Sequence, residues 1–400
     1  MKKYVTILFD GMADYPDKSG KTPMLEAYKP VTDAMAQKGL VGLCKTVPNG
    51  MKPGSDVANL SVMGYAPEIF YTGRSPLEAL SIGVEMGAEA VTYRTNLVTL
   101  SNCEPYEEKT MVDYSAGEIT TEEAKTLIEF LDDYLPLGDN LKLYAGVSYR
   151  HCLLRKAGLT GATLVPPHDI SDKKITDYLP KAGYNEELLE LMKLSNKLLS
   201  SHPVNLDRIS RGLNPANSIW FWGEGRKPAL EDFYKLHGKK GAVISAVDLL
   251  KGIGKAAGME VIEVNGATGN IDTNFDGKAQ AAIDALSRND YVYIHLEAPD
   301  ECGHQGNYAS KKRAIELIDE KIVAPVKKFM DESGLSYKIA ILPDHATPVT
   351  LKTHVSDPVP YLIYDSENEV NGVPSLTEEN ASKTGNNLDS GVALMKKLFE

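Results

Sequence analysis

The chain has 400 residues, of which 42% are apolar and 24% charged, enough for two domains and a large core in an ordinary globular protein. Its 43 basic and 55 acidic side chains leave a net charge of −12, and no basic stripe is available to neutralise phosphates, which excludes a nucleic-acid binder. A small phosphorylated substrate is not excluded, because metals and a few local arginines can reverse the sign inside a cleft.

The first segment reads strand, helix, strand, helix. Residues 3–9 form a strand. A short helix over 30–38 carries Val31, Met35 and Ala36 on its apolar side and stops at Gly39. Residues 42–47 form a strand, Pro53-Gly54 a turn, and the spacing of Val57, Leu60, Ser61 and Met63 predicts a helix over 56–63. The texture then changes. Strands are predicted at 89–100, 141–147, 151–155 and 218–223. Helices are predicted from Thr120 to about Tyr134, where hydroxyl caps and early acids suit the N-terminus, and over about 185–199. The last part alternates cleanly: strands at 242–244, 260–264, 291–296, 338–342 and 360–364, with helices through Leu249 to Ile253, 280–286, about 310–330, and the terminal segment through Phe399. This alternation predicts an α/β fold with a mostly parallel sheet and helices on both faces.

Cys44, Cys103, Cys152 and Cys302 show no CxxC spacing and no disulfide framework, so reduced thiols are expected. Met1-Lys2-Lys3-Tyr4-Val5 runs straight into a strand without a signal-peptide layout, and no apolar run reaches membrane-spanning length. The expectation is a cytoplasmic protein without a membrane partner. The pattern does not specify an oligomeric state.

Metal-ligand residue types recur just after predicted strands. Asp10 follows 3–9, although an Asp-Gly pair alone is more often a turn. Asp300 and His304, after 291–296, have the four-residue spacing that puts two side chains on one helical face. Asp344 and His345 follow 338–342, and adjacent side chains on extended backbone point apart, so each can serve a different ion. His354 completes a first set with Asp300 and His304; Asp344, His345, Asp10 and Ser55 make a second. Ser55 sits at the expected N-cap of the 56–63 helix, where capping is the commonest job for serine. The same helix N-terminus favours a phosphoryl anion, and a nearby cation would activate the hydroxyl as a nucleophile. Carboxylates and imidazoles in this mixture suit two divalent ions of borderline hardness. Of the other histidines, His295 lies inside an apolar strand and is read as a hydrogen-bonded core residue, while His202 and His237 are read as surface groups. Because the ligands occupy both ends of the chain, those ends should form one domain, residues 1–78 with 240–400, interrupted by a second at 79–239.

Several stretches together resemble a known family. These are Asp10-Gly11, Pro53-Gly54-Ser55-Asp56-Val57-Ala58-Asn59-Leu60, Pro299-Asp300-Glu301-Cys302-Gly303-His304, Pro343-Asp344-His345-Ala346-Thr347-Pro348 and His354-Val355-Ser356-Asp357-Pro358-Val359-Pro360. With Gly73-Arg74-Ser75-Pro76-Leu77-Glu78-Ala79, Tyr149-Arg150-His151, Pro167-His168-Asp169-Ile170 and the run from Ala246 to Gly252, they look like the cofactor-independent phosphoglycerate mutases of archaeal type, in the alkaline phosphatase superfamily. The resemblance implies an alkaline-phosphatase-like domain with an inserted α+β substrate domain that closes over the site. It implies two divalent ions, manganese by preference with zinc, cobalt or magnesium as alternatives. Ser55 would take the phosphoryl group of 3-phosphoglycerate and return it to the 2-hydroxyl. Substrate contacts would come from His151 as acid/base, Asp169 as a hydroxyl partner, and Arg94, Arg150, Arg208, Arg211, Arg226 and Lys251 as carboxylate or phosphate clamps. Two or three of those six cations are expected to be plain surface charges. The stretch Glu297-Ala298-Pro299-Asp300-Glu301-Cys302 is closer to a bacterial branch proposed as homoserine kinase, which is the rival expectation. A phosphatase or phosphonate hydrolase of the superfamily is a third, disfavoured because a closing cap would exclude water.

Overall fold

The computed structural model describes residues 2–102 and 104–400. Cys103, one of the cysteines expected to be reduced, lies outside the described residues; Cys44, Cys152 and Cys302 are free and buried. The strands in chain order are β1 (Lys3–Phe9), β2 (Leu40–Cys44), β3 (Val91–Leu100), β4 (Met111–Asp113), β5 (Leu141–Tyr144), β6 (Arg150–Arg155), β7 (Ser218–Arg226), β8 (Gly241–Ile244), β9 (Glu260–Ile262), β10 (Tyr291–Leu296), β11 (Tyr337–Leu342), β12 (Val359–Asp365) and β13 (Asn387–Leu388). The chain divides into two compact units, Met1–Tyr71 with Ala229–Glu400, and Thr72–Pro228.

The first unit holds an eight-stranded sheet in the order β13-β2-β12-β11-β1-β10-β8-β9. From β11 to β9 every pairing is parallel, and β12 runs antiparallel to both of its neighbours. The central strands read as unbroken apolar runs because both faces are covered, as parallel sheets require. Val5, Ile7 and Phe9 face a core built with the helices Phe275–Leu286 and Tyr308–Ile318. Tyr4 alternates to the other face and meets Phe399 of the helix Gly391–Phe399 edge-on at 5.0 Å. The α/β sandwich expected from the sequence is therefore the observed architecture.

The second unit is built on β3, which pairs antiparallel with β4, β6 and β7, while β5 extends the sheet from β6. Helices Thr121–Tyr134 and Asn185–Ser200 supply Leu127, Leu131, Leu191 and Leu199 to a core shared with Leu97 and Ile219.

Several expectations shift. The cuts fall at 71/72 and 228/229 rather than 78/79 and 239/240. Helix Ser75–Ser81 packs on β3 and β7, and Phe233 stacks on Tyr291 at 5.3 Å. The helix expected over 310–330 is interrupted by a π-helical turn at Asp319–Val323 before continuing as Ala324–Glu332. Pro325 has no N–H to offer the preceding turn, which accounts for the break in the ladder. His237, read as a surface group, is half-buried between Phe233 and Phe399. Among the described residues no helix is long and apolar enough to cross a membrane.

Ile341 is fully buried in the middle of β11. Replacing it with alanine should lower stability by about 2–5 kcal/mol, read as a fall in the denaturant midpoint; an unchanged midpoint would contradict this packing.

Candidate active site

Parallel strands deliver their C-terminal ends to one edge of a sheet, and ligands gather there. Here β10, β1 and β11 are adjacent and in register, with Phe9 opposite Leu296 and Leu8 opposite Leu342. Asp10 follows β1, helix Ala298–His304 follows β10 with Asp300 and His304 one turn apart, and Asp344-His345 follow β11. The bridge between Val355 and Ala346 folds the next loop back and brings His354 to the same place.

Ser55 is not the N-cap. Gly54 takes that position with extended backbone, its carbonyl accepts the Ala58 N–H at 2.9 Å, and Ser55 is the first residue of the helix Ser55–Val62. Its hydroxyl is thus released from capping and lies 3.2 Å from His345 Nε2.

Two ligand sets result. Asp300, His304 and His354 have ligand atoms within 4.8 Å of one another, and so do Asp10, Asp344 and His345. In the first set the Nε2 atoms of His304 and His354 approach to 2.9 Å, and they lie 3.2 and 3.5 Å from the Asp300 carboxylate. In the second, His345 Nε2 lies 3.3 Å from Asp344 and 3.7 Å from Asp10. The sets adjoin, for the rings of His345 and His354 are 3.9 Å apart at their centroids.

The electrostatics are those of a place short of positive charge. Burial and the carboxylates of Asp344 and Asp300 push the Asp10 carboxyl well above its usual range. Hydrogen bonding to Asp300 raises the His304 imidazole to about 9. Asp10 Oδ1 is buried without a hydrogen-bond partner. An orphaned carboxylate oxygen and converging ring nitrogens are what divalent ions would satisfy, and the carboxylate–imidazole donor set fits them.

The surrounding side chains orient the candidate ligands. His295 Nε2 lies 2.7 Å from Asp10 Oδ2, and its Nδ1 lies 3.1 Å from Ser245 Oγ. His295 is thus hydrogen-bonded as expected, but its partner is a candidate ligand. Asn59 donates to Asp344 Oδ2 at 2.8 Å and to the Ser55 carbonyl at 2.9 Å, and accepts from the Tyr293 hydroxyl. Lys311 is fully buried and donates to Asp14 at 2.7 Å and to the carbonyls of Thr347 and Ala13 at 2.8 and 3.1 Å. Sequence reading gave Asn59 and Lys311 no role; one lies mid-helix and the other in a helix with mixed charges, and only the tertiary fold supplies their partners.

The expected substrate contacts in the second unit separate into distinct environments. Arg94 is largely buried, ion-paired with Glu78 at 2.8 Å and stacked on Trp222 with its guanidinium carbon 3.9 Å from the ring centre. Burial lowers it to about 10. Arg150 is exposed on the same face of the β3–β6 ladder, beside Tyr149. His151 points to the opposite face, since it pairs with Thr95 while Arg94 pairs with Cys152 and side chains alternate. It is buried, its Nδ1 accepts the Gly146 N–H at 3.1 Å, and burial lowers it to about 3. Arg208 is buried and spends its donors on Glu123 and on the carbonyls of Asn214 and Ala116. Arg211 is ion-paired with Glu123 and Asp207. Arg226 holds the Gly158 carbonyl at 2.6 Å. The partners named for these three arginines all lie within the second unit. Asp169 is exposed, 3.7 Å from His168. In the first unit, Lys251 is paired with Glu263 at 2.7 Å.

The family described as 2,3-bisphosphoglycerate-independent phosphoglycerate mutase matches residues 36–205. A protein of Methanosarcina mazei with that description is 49% identical over 381 residues, covering 94% of each chain. A Geobacter sulfurreducens protein described as a probable enzyme of the same kind is 48% identical over 401 residues and the full length of both. A solved structure of a Pyrococcus horikoshii protein superposes with a TM-score of 0.82 at 28% identity, covering 99% of this chain and 96% of that one.

The Lys311–Asp14 pair lies wholly inside the first unit. Lys311→Met should therefore leave Asp14 buried and unpaired and cost about 3–5 kcal/mol, measured by denaturant unfolding; stability equal to wild type would show the pair to be dispensable.

Proposed function

The chain belongs to the 2,3-bisphosphoglycerate-independent phosphoglycerate mutases, and on that premise we propose that it interconverts 3-phosphoglycerate and 2-phosphoglycerate by passing the phosphoryl group through Ser55. The observation that carries the reading is the Ser55 hydroxyl, 3.2 Å from His345 Nε2 and beside two sets of carboxylate and imidazole ligands. Asp300, His304 and His354 would hold one divalent ion. Asp10, Asp344 and His345 would hold the other with Ser55, and manganese is our choice of metal. When bound, such a pair supplies positive charge that steadies phosphoryl oxygens and favours ionisation of a nearby hydroxyl.

The chain's own groups do the rest. Ser55 Oγ attacks phosphorus as its proton leaves, the bond from phosphorus to the substrate oxygen breaks, and that oxygen takes up a proton to give glycerate. The neighbouring glycerate hydroxyl then attacks the phosphorus of the phosphoserine, the bond from phosphorus to Ser55 Oγ breaks, and the proton lost by the attacking hydroxyl is balanced by the one Ser55 Oγ takes up to regenerate its hydroxyl. The N–H groups at the start of helix Ser55–Val62 face the anion that forms at Ser55. Asn59 and His295 hold Asp344 and Asp10 in place, so little reorganisation is needed during the transfer. For the carboxylate and hydroxyl of the substrate we retain Arg94, Arg150 and Asp169 as contacts. We place the enzyme in the cytoplasm, acting on a small phosphorylated molecule. The relatives reported above are described as mutases, so isomerisation is preferred over phosphorylation of homoserine or simple hydrolysis.

Ser55→Ala should fold normally and lose mutase turnover by roughly a thousandfold or more; turnover that survives the change would exclude a phosphoserine route. Stripping divalent ions with a chelator should abolish conversion of 3-phosphoglycerate, and manganese should restore it. Undiminished conversion by chelated protein would remove the ions from the reaction.

A further inference from the structure

Thr347 is buried and lies between the two ligand sets. Its Oγ1 donates to Asp300 Oδ1, a ligand of the first set, and stands 3.3 Å from His345 Nδ1, a ligand of the second. A hydroxyl has one proton to give, and an ionised carboxylate can only accept. As a ligand of a divalent ion Asp300 is in its carboxylate form, which can only accept. The proton of Thr347 therefore goes to Asp300, and its contact with His345 must run the other way, from Nδ1–H to Oγ1. That choice fixes the His345 tautomer. Nε2 is left with a lone pair, 3.2 Å from Ser55 Oγ and 3.3 Å from Asp344 Oδ2.

The backbone of Thr347 is held in place from two sides. The Thr347 carbonyl accepts from buried Lys311 at 2.8 Å, and its N–H donates to the Ala13 carbonyl at 3.3 Å. Two glycines leave it room. A Cβ at Gly11 would come within 2.7 Å of Thr347 Oγ1 and 2.6 Å of Asp300 Oδ1, and one at Gly303 within 2.5 Å of the Thr347 carbonyl oxygen. We propose that Thr347 is a positioning residue that couples the two ion sites, orienting Asp300 for one ion and setting the tautomer through which His345 serves the other. The proposal rests on the two-ion reading of the site but not on the reaction assigned to it.

The test compares full-length wild type, Thr347→Val and Thr347→Ser after removal of metal. Manganese binding is followed by calorimetry, and the ring nitrogens of His345 by 15N NMR on the metal-free proteins. Wild type should take up two ions and show His345 protonated at Nδ1. Thr347→Val keeps the shape without the hydroxyl, and should weaken both binding steps by roughly ten- to a hundredfold while moving the His345 proton to Nε2. Thr347→Ser should restore most of the affinity and the Nδ1–H tautomer. A change in packing alone would shift the melting temperature without moving the proton. If Thr347→Val does not fold, Thr347→Ala takes its place in the same measurements. Wild-type affinity in the variant lacking the hydroxyl, loss of one ion only, an unmoved His345 proton, or failure of serine to rescue would each overturn the proposal. So would wild type that takes up fewer than two ions. Because every readout is binding or NMR, this failure is distinguishable from failure of the mutase reading, which turnover decides.

Discussion

Three carboxylates, those of Asp10, Asp300 and Asp344, are buried together at one end of a sheet. Like charges confined in this way are costly unless something positive shares the space. The topology makes the crowding unavoidable, because β10, β1 and β11 are adjacent, parallel and in register, and each is followed closely by an aspartate. The rest of the first unit is arranged around that fact. His295 steadies one oxygen of Asp10, and the other has no hydrogen-bond partner. Asn59 steadies Asp344 and ties it to the backbone of Ser55. Thr347 stands between Asp300 and His345. The partly satisfied acceptors and converging imidazoles are the basis for assigning two divalent ions to the cluster.

Much of this was legible in the sequence for a simple reason. Alternating strand and helix patterns imply a parallel sheet, and a parallel sheet gathers the residues that follow its strands. Asp10, Asp300, His304, Asp344 and His345 therefore stand out together, though Asp10 alone reads as a turn residue, and the four-residue step from Asp300 to His304 does fall on one helix, Ala298–His304. The supporting residues were not legible because their partners are set by register and packing. His295 looks like any polar residue in an apolar strand until β10 is laid beside β1. Nothing in the sequence singles out Lys311 until helix Tyr308–Ile318 buries it against Asp14. Ser55 had the right neighbourhood but the wrong local role, since Gly54 takes the cap and frees the hydroxyl.

The second unit shows the limit of reading charges from sequence. Arginine is suited to carboxylates and phosphates wherever it occurs, so motif matching cannot tell a substrate clamp from a structural brace. Arg208, Arg211 and Arg226 are engaged by Glu123, Asp207 and backbone carbonyls of their own unit. Arg94 is different. It is stacked on Trp222 and shares Glu78 with Arg74, on the face of β3 and β6 that also presents Arg150. The pleat of one strand separates these groups from His151, although residues 150 and 151 are adjacent in the chain.

The central claim is that the crowded carboxylates and imidazoles are the ligands of two divalent ions that share Ser55. Anomalous diffraction from crystals of the protein equilibrated with manganese tests it most directly. The account predicts two peaks, one bounded by Asp300, His304 and His354 and the other by Asp10, Asp344, His345 and the Ser55 hydroxyl. A single peak, or manganese bound away from these residues while the cluster stays as it is, would contradict it.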